Sequence, residues 1–522
     1  MWLVVQSDRT FPYNDGPQGA IVVPDSWDDF GYRTTYDLWF RPANDARPIE
    51  IGRVKIAHAD QEPGDHPLPA GTFSSLLQVG DGRWFSLGQS DVYYDNLRKQ
   101  GPLALGVLGL LHDLAFTSRP EKIPHWHGEQ LDTALTYPVT TVSLLRSVEE
   151  QTIRGQFHRI AWGGPRLTPY QFDFTPGPET EALEFRVRPD SNPPSNIHVL
   201  VGRNGVGKTR LLRSIAQAVV HPDQPGTAGS VAIIPTANPA DDHGFVNVVS
   251  VTFSPFDRLA GSADGSGQAA ASHVHVGLRK AGDELGSSTD RFLAIEFMSS
   301  LMEVLASPQN ILWFQCLALL SRDPHFADLP IHALAQRVVA HGGENDLRRR
   351  LGQVLVQAFD ELSSGHAIVL LTITKLVGHV AEQSLVLIDE PEAHLHPPLL
   401  ASFIQTLSHL LTNRNGVALI ATHSPVVLQE VPRSCVLKLS RNGNHSRARR
   451  PRIETYGENV GVLTHEIFGL EVMQSGFYSE IENAVAKFAT YDEVLGHFDQ
   501  QLGDEAKSLV RILLADNERE DD

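Results

Sequence analysis

Cysteine is scarce in this chain of 522 residues, which contains only Cys316 and Cys435. Two cysteines cannot form a disulfide framework or a four-cysteine zinc site, and we expect Cys316 in the core. Hydrophobic runs are short as well. The longest, Leu103 to Leu111, has nine residues, whereas a membrane helix needs about 20. No signal peptide is visible at the start, so the sequence predicts a soluble, cytoplasmic protein without membrane contact.

Basic residues are also too few for a protein that coats nucleic acid. The chain has 43 lysines and arginines against 62 acidic residues, which gives a net charge of −19. Non-specific DNA binding depends on neutralising phosphates, so this balance argues against it. A local basic patch is still compatible with binding, because exposed charges are screened beyond about 8 Å at physiological salt.

One such patch follows an Asn442–Gly443 pair, which predicts a hairpin turn. Its members are Arg447, Arg449, Arg450 and Arg452. Strand alternation places Arg447 and Arg449 on one face. Two interpretations stay open, a solvated sheet edge and a contact with the phosphate backbone of DNA.

Apolar residues make up 41% of the chain, which is enough for ordinary hydrophobic cores. Short strand-like runs at 35–40 and 51–56 and a helical stretch near 103–115 indicate mixed α and β structure at the start. From Ile197 an α/β pattern begins. The predicted regions are an N-terminal α+β accessory domain (1–150), an α/β core (151–470) with a helical lobe at about 259–380, and a short C-terminal helical segment with an acidic tail (471–522).

A phosphate-binding loop is the most specific motif. The sequence from Gly202 to Thr209 fits G-x-x-x-x-G-K-[ST], and it stands between an apolar strand at 197–201 and a helical pattern at 208–220. Glycines let the backbone approach a phosphate closely, and the N–H groups at the helix start point toward it. Lys208 is expected on the β- and γ-phosphates, and the Thr209 hydroxyl on Mg²⁺.

The run Leu385 to Glu390 supplies the second half of the predicted nucleotide site. Four apolar residues predict a buried parallel strand, and two carboxylates follow at the end where α/β sheets bind ligands. We expect Asp389 to hold Mg²⁺ and Glu390 to orient or deprotonate the attacking water. Together with the loop, this strand predicts an α/β P-loop NTPase.

Two further segments make the pattern more specific. Leu362 to His366 precedes the carboxylates, and Ala421 to Pro425 follows them at the end of another apolar run. In this order the segments resemble the signature motif and the switch histidine of ABC-type ATPases. Residues 389–397 (DEPEAHLHP) resemble the prokaryotic RecF-like and overcoming-lysogenisation-defect (OLD) ATPases, and are similar to the Septu-type antiphage ATPases. The resemblance covers about residues 150–470.

The resemblance implies an ATP sandwiched between two protomers. Ser363 and Gly365 of one protomer would contact the γ-phosphate held by Lys208 of the other, and His423 would sense it in cis. Ser363 is also compatible with a simple helix N-cap. The implied catalytic residues are Lys208, Glu390 and His423, and Thr209 and Asp389 are the implied Mg²⁺ ligands. The remaining implied ATP-binding residues are Gly202, Arg203, Asn204, Gly205, Val206, Gly207 and Arg210.

The motifs depart from the transporter pattern at several places. Ser364 and His366 stand where transporters usually have glycine and glutamine, and 253–257 stands where a glutamine-bearing loop is expected. These differences disfavour a transporter subunit. His125 and His127 are expected in a surface turn rather than at a metal. The histidines at 394 and 396 are interpreted as part of a loop that faces the dimer partner, not as a metal site.

About 50 residues follow Leu470, which leaves no room for the nuclease domain of OLD-type proteins. Any nuclease activity is therefore expected from a partner chain. The sequence predicts an ATPase that dimerises around ATP and regulates such an effector in antiphage defence, with DNA as a possible ligand. A RecF-like DNA-repair ATPase and a nucleotide-gated scaffold with little turnover are the alternatives.

Overall fold

A computed structural model of the chain describes residues 1–8, 10, 15–25, 28–64, 68–117, 130–177, 180–223, 229–234, 244–252, 271–277, 289–340, 345–442, 445–472, 477–488 and 490–520. The chain forms two compact units. The first contains residues 1–198 and 209–421, and the second contains residues 199–208 and 422–522. Each is described separately below.

The N-terminal part of the first unit is built on a six-stranded sheet. Its strands are β1 (Trp2–Val5), β2 (Gly19–Pro24), β3 (Thr35–Arg41), β4 (Ile49–His58), β5 (Gly71–Phe73) and β6 (Trp84–Gly88), in the order β5-β1-β2-β3-β4-β6. Only the β1–β2 pair is parallel. The strands β3 and β4 include both strand-like runs that the sequence predicted.

Short helices cover this sheet. They are α1 (Asp91–Lys99), α2 (Pro102–Leu110), α3 (Leu114–Thr117), α4 (Leu131–Ala134), α5 (Glu150–Thr152) and α6 (His158–Ala161), with a 3-10 turn at Leu76–Gln78 and π-helical turns at Thr140–Leu144 and Ile153–Phe157. Sheet and helices share one hydrophobic core that begins at Leu3 and extends to Ala161.

The rest of the first unit has two sheets. An antiparallel sheet contains β7 (Tyr170–Thr175), β8 (Leu183–Val187) and β10 (Ser230–Ile234), in the order β10-β7-β8. A parallel set contains β11 (Asn247–Thr252), β12 (Ser272–Gly277), β13 (Leu385–Asp389) and β14 (Val417–Thr422), in the order β12-β11-β13-β14. Every residue of β13 and β14 is buried, as expected of parallel strands covered on both faces.

The helices of this region are α7 (Lys208–Val220), α8 (Thr289–Ala306), α9 (Asn310–Leu320), α10 (Pro324–Ala327), α11 (Ile331–Ala340), α12 (Asn345–Asp360), α13 (Ser364–His379) and α14 (Pro397–Arg414), with a 3-10 turn at Pro391–Ala393. The structure differs from the predicted helical lobe at its start. Residues 272–277 form the strand β12, because Val274 and Val276 alternate with polar residues and pair in parallel with β11. The described helices of the lobe begin only at Thr289.

Buried ion pairs join the N-terminal sheet region, whose core extends to Ala161, to the rest of the first unit. Arg159 Nη2 donates to both carboxylate oxygens of Glu382, at 2.7 and 2.9 Å. Asp91, which is 1% exposed, contacts Arg166 at 2.5 Å and Arg414 at 3.4 Å. Charges this deep must be paired to be tolerated, so these contacts fix how the two regions pack.

The second unit contains β9 (Ile197–Val201) from Val199 onward, β15 (Val436–Asn442) and β16 (His445–Arg449). The strand β15 runs parallel to β9 and antiparallel to β16. Its helices are α15 (Pro425–Gln429), α16 (Val460–Val472), α17 (Phe477–Val485), α18 (Tyr491–His497) and α19 (Asp504–Glu520), with a 3-10 turn at Arg433–Cys435. The last three helices have a small core of their own, which includes Ile481, Val494 and Val510. Within the described ranges, every helix is too short or too polar to cross a membrane.

Candidate nucleotide site

The predicted phosphate loop connects β9 to α7, in the strand–loop–helix order that the sequence indicated. Gly202 packs against the backbone, since a Cβ placed there would meet the Leu439 oxygen at 2.6 Å. Gly205 and Gly207 have φ of +80° and +100°, and a Cβ on either would meet nothing within 4 Å. Positive φ turns peptide N–H groups toward one concave side of a loop. The loop therefore fits a phosphate group.

Lys208 provides the positive charge of the loop. Its side chain is 5% exposed, and Nζ donates to the carbonyl oxygens of Gly202 at 3.0 Å and Arg203 at 3.3 Å. These contacts hold the ammonium group against its own loop. A phosphate would offer the lysine a stronger, charge-assisted partner than these neutral carbonyls. The neighbouring Thr209 is half-buried, and Arg203, Asn204 and Arg210 are exposed.

The two predicted carboxylates stand at the C-terminal end of β13. Asp389 is 4% exposed and pairs with Thr252 of β11 and with Ala421 of β14. Glu390 has the left-handed conformation, with φ 43° and ψ 57°, and its N–H donates to Ala421 O at 2.8 Å. This backbone conformation costs a non-glycine residue about 1 kcal/mol or more and is typical of functional positions. It breaks the strand direction immediately after Asp389.

The predicted signature motif lies at the start of α13. Ser363 is the N-cap of this helix, as the simpler interpretation predicted, and it is exposed. Its Oγ lies 2.6 Å from Nδ1 of His366 and also accepts the His366 N–H at 3.5 Å. Gly365 is buried, and a Cβ there would meet the His394 carbonyl at 3.0 Å. The fold thus brings the signature against the loop that follows Glu390.

His423 follows β14 and is exposed. The next residue, Ser424, is the N-cap of α15, and its N–H donates to Thr422 Oγ1 at 2.9 Å. His423 and the loop residues from Gly202 to Lys208 belong to the second unit. The other predicted site residues belong to the first unit, namely Thr209, Arg210, Ser363, Gly365, Asp389 and Glu390.

The arginine cluster lies on and after β16. This strand pairs antiparallel with β15, in agreement with the predicted hairpin, and Arg447 and Arg449 are opposite Ser440 and Lys438. Both arginines are exposed. Arg450 differs, because its Nη1 donates to the Val436 carbonyl at 3.1 Å. Arg452 is exposed as well, so the structure separates three exposed arginines from one that stabilises the unit itself.

Some predicted features lie outside the described residues. These are His125 and His127, the segment 253–257 that stands in place of a glutamine-bearing loop, and the turn at 443–444. Two groups were missed by the sequence. One is the buried ion pair of Arg159 with Glu382, and the other brings Asp323 together with His366 and His396. Both combine residues from distant segments, so no local motif pointed to them.

A cavity of about 450 Å³ lies within the first unit, between the N-terminal sheet region and residues 247–414. The cations on its wall are held by neighbouring carboxylates. Asp29 contacts Lys55 at 2.7 Å and Arg146 at 2.9 Å, and Arg53 lies 3.6 Å from Asp25. Arg53 also donates to the Ala306 carbonyl at 2.6 Å. The Arg53 bond therefore links β4 to the end of α8, whereas the ion pairs of Asp29 and Asp25 lie within the N-terminal region.

Comparisons with known proteins agree with this geometry. A family model described as "AAA domain, putative AbiEii toxin, Type IV TA system" matches residues 316–429, a range that includes the signature and both carboxylates. The chain is 35% identical to the ea59 protein of Escherichia phage lambda over 518 residues, which cover 95% of this chain and 94% of that protein. The family match, the phosphate loop and the parallel strands together give this chain a P-loop NTPase fold.

Two solved structures are also similar. One is a metal-chelate-type ABC transporter in an inward-facing conformation, at 15% identity over 57% of this chain and 89% of that chain, with a TM-score of 0.27. The other is the ATP-binding cassette of an ABC transporter in its ADP conformation, at 15% identity over 50% of this chain and 84% of that chain, with a TM-score of 0.24.

Proposed function

The chain belongs to the family of the ea59 protein of phage lambda, and we propose that it is an ATP-hydrolysing enzyme that dimerises around ATP. The observation that carries this proposal is the phosphate loop. Its two open glycines and its buried Lys208 form a cradle for an anion, and the helix α7 begins at that lysine.

We assign the roles as follows. Backbone N–H groups of the loop and the Lys208 ammonium bind the phosphates, and Thr209 and Asp389 hold Mg²⁺, which would neutralise charge on the β- and γ-phosphates. Glu390 accepts a hydrogen bond from the attacking water and orients it. The left-handed backbone at Glu390 supports this role, because it turns the side chain out of the strand direction. His423, on its exposed turn, is assigned to sense the γ-phosphate.

Dimerisation is supported by the exposed start of α13. This helix has 16 residues, and the N-terminus of a helix carries partial positive charge that favours an anion. Ser363 is exposed there and would meet the γ-phosphate held by the second protomer. Hydrolysis would then depend on two chains meeting around ATP.

The biological role that we propose is regulation of a partner effector, such as a nuclease, in antiphage defence. The description of the matching family model, which names an AbiEii toxin, supports a defence role over the RecF-like repair alternative. The exposed pair Arg447 and Arg449 supports DNA as a ligand. If the effector is a separate nuclease, the isolated chain does not cut DNA with Mg²⁺ or Mn²⁺ and ATP, and cleavage that Lys208→Ala abolishes would contradict this.

ATP turnover and ATP-driven dimerisation test the enzyme assignment. We expect Lys208→Ala to lose nucleotide binding and turnover, because it removes the loop's cation. Glu390→Gln should retain ATP binding, slow hydrolysis by at least about 10², the effect of losing acid–base assistance, and accumulate the dimer with ATP. Adding Ser363→Arg should prevent that accumulation.

Glu184→Gln is the matched control for Glu390→Gln, because it removes the same charge from an exposed site on β8. It should leave turnover and dimerisation unchanged. Normal turnover in Lys208→Ala would refute the nucleotide site. An oligomer of the same size with and without ATP in all variants would refute the sandwich mechanism. ATP binding with no turnover by the wild type would favour the scaffold alternative.

A further inference from the structure

Three potential metal ligands meet beside the signature serine. Asp323 is the N-cap of α10, His366 lies in the first turn of α13, and His396 is the N-cap of α14. Each offers one ligand atom, and these atoms all lie within 4.8 Å of one another. A tetrahedral ion with bonds of about 2.0–2.1 Å would hold its ligand atoms about 3.3 Å apart. The distance from His366 Nε2 to Asp323 Oδ1 is already 3.5 Å.

His366 is a buried histidine whose Nε2 lies close to the carboxylate of Asp323. The side chain is buried, and within the described residues its Nε2 has no partner at normal hydrogen-bond geometry, apart from the Asp323 oxygen at 3.5 Å. A neutral imidazole has one nitrogen that can offer a lone pair to a metal ion. A buried polar atom of this kind needs a partner.

The other nitrogen of the same ring controls the signature serine. His366 Nδ1 lies 2.6 Å from Ser363 Oγ, so one of the two groups donates a hydrogen to the other. If Nδ1 has no hydrogen, the Ser363 hydroxyl donates to it and has no proton left for a phosphate. If Nε2 binds a metal ion, Nδ1 carries the hydrogen and donates it to Ser363 Oγ, as metal-bound histidines usually do with their second nitrogen. The serine O–H can then point toward solvent.

We propose that Asp323, His366 and His396 bind a divalent transition-metal ion such as Zn²⁺, and that the bound ion orients the Ser363 hydroxyl. Two imidazoles and one carboxylate suit Zn²⁺ and disfavour Mg²⁺, which prefers oxygen ligands. His396 is exposed, so solvent can deliver the ion and occupy a fourth position. The site is separate from the Mg²⁺ ligands assigned above. The effect on Ser363 rests on the proposed ATP sandwich, whereas the ion site itself does not.

Metal binding is measured first, without nucleotide. The untagged protein is stripped with a chelator and titrated with Zn²⁺ in competition with a chromophoric indicator, and Co²⁺ reports the coordination geometry by its visible absorption. We expect one ion per chain. His396→Gln and Asp323→Asn should weaken binding by more than the about 10- to 100-fold that loss of an outer-shell hydrogen bond costs. Both variants spare the core, because His396 is exposed and asparagine can still cap α10.

His394→Gln is the matched control, since this exposed histidine lies two residues from His396 and outside the cluster. It should bind Zn²⁺ like the wild type. The site would be overturned if the wild type did not bind Zn²⁺ stoichiometrically. It would also be overturned if His394→Gln lost as much Zn²⁺ affinity as His396→Gln. Neither result depends on whether the chain hydrolyses ATP.

The positioning role of the ion is tested in the Glu390→Gln background. We expect Zn²⁺ to increase ATP-driven dimerisation without changing the affinity of ATP for Lys208 in the single protomer. Adding Ser363→Ala should abolish this effect while Zn²⁺ still binds. Zn²⁺ that binds but leaves dimerisation unchanged would overturn the positioning role. If no variant dimerises with ATP, the proposed sandwich fails, and the titration alone decides the ion site.

Discussion

The buried pair between Arg159 and Glu382 allows a prediction with a defined pH dependence. Each side chain is 7% exposed. Burial raises the pKa of Glu382, whereas the Arg159 guanidinium and the Asn415 side chain oppose that rise. In Arg159→Met, the guanidinium no longer opposes the rise that burial causes in the pKa of Glu382. The carboxyl group must then either remain as an unpaired buried charge or take up a proton.

The cost of the second route can be calculated. Protonating a carboxyl group with an ordinary pKa of 4.5 costs about 1.4 kcal/mol per pH unit above that value. The total is about 3 kcal/mol at pH 7 and less than about 1 kcal/mol at pH 5. The value at pH 7 agrees with the roughly 3–5 kcal/mol that breaking a buried pair costs. Because the unfolded chain releases this proton and the folded variant keeps it, stability falls as pH rises above 4.5.

Arg159→Met/Glu382→Gln separates this effect from the other contacts of the arginine. Arg159 also donates to the carbonyl oxygens of Pro165 and Arg166, and both variants lose these bonds. Glutamine cannot ionise and still offers an oxygen to Asn415, so the double variant should recover about 3 kcal/mol at pH 7 relative to the single variant and little at pH 5. Free energies of unfolding from urea denaturation at both pH values provide the test. Equal destabilisation of the single variant at pH 5 and pH 7 would refute the reasoning.

Two further predictions concern other parts of the chain. Burial lowers the pKa of His112 to about 4 from its ordinary value of 6.5. As pH falls below 6.5, this imidazole takes up a proton in the unfolded chain but not in the folded one, so the folded state loses stability. His112→Asn, which tolerates the φ of 46° at this position, should gain about 2 kcal/mol over the wild type between pH 6.5 and pH 5, and parallel stability profiles would contradict this. Replacing Arg447 and Arg449 with alanine should lower the log–log salt slope of DNA binding by about 1.8 and leave the DNA-independent ATPase activity unchanged. An unchanged slope would favour the solvated-edge interpretation.

The parts of this protein that could be predicted from the sequence are those encoded in contiguous residues. The strand at Ile197–Val201 and the helix at Lys208–Val220 are found with the predicted bounds, because apolar periodicity reports the local backbone and the loop between them needs glycines at fixed spacing. The same holds for β13, whose four apolar residues lead directly into Asp389. The strand β12 was missed, because its six residues are too short to distinguish by periodicity from the helical region in which it was placed.

Tertiary structure decided which distant residues meet. Arg159 and Glu382 are 223 positions apart, and neither stands in a recognisable motif. His366 and His396 were both noticed in the sequence, but as a departure from the transporter signature and as part of a loop. Only the packing of α10, α13 and α14 brings ligand atoms of Asp323, His366 and His396 within 4.8 Å of one another. Local patterns specify elements and contiguous motifs, whereas contacts between segments depend on how buried faces fit together, and sequence spacing does not record that fit.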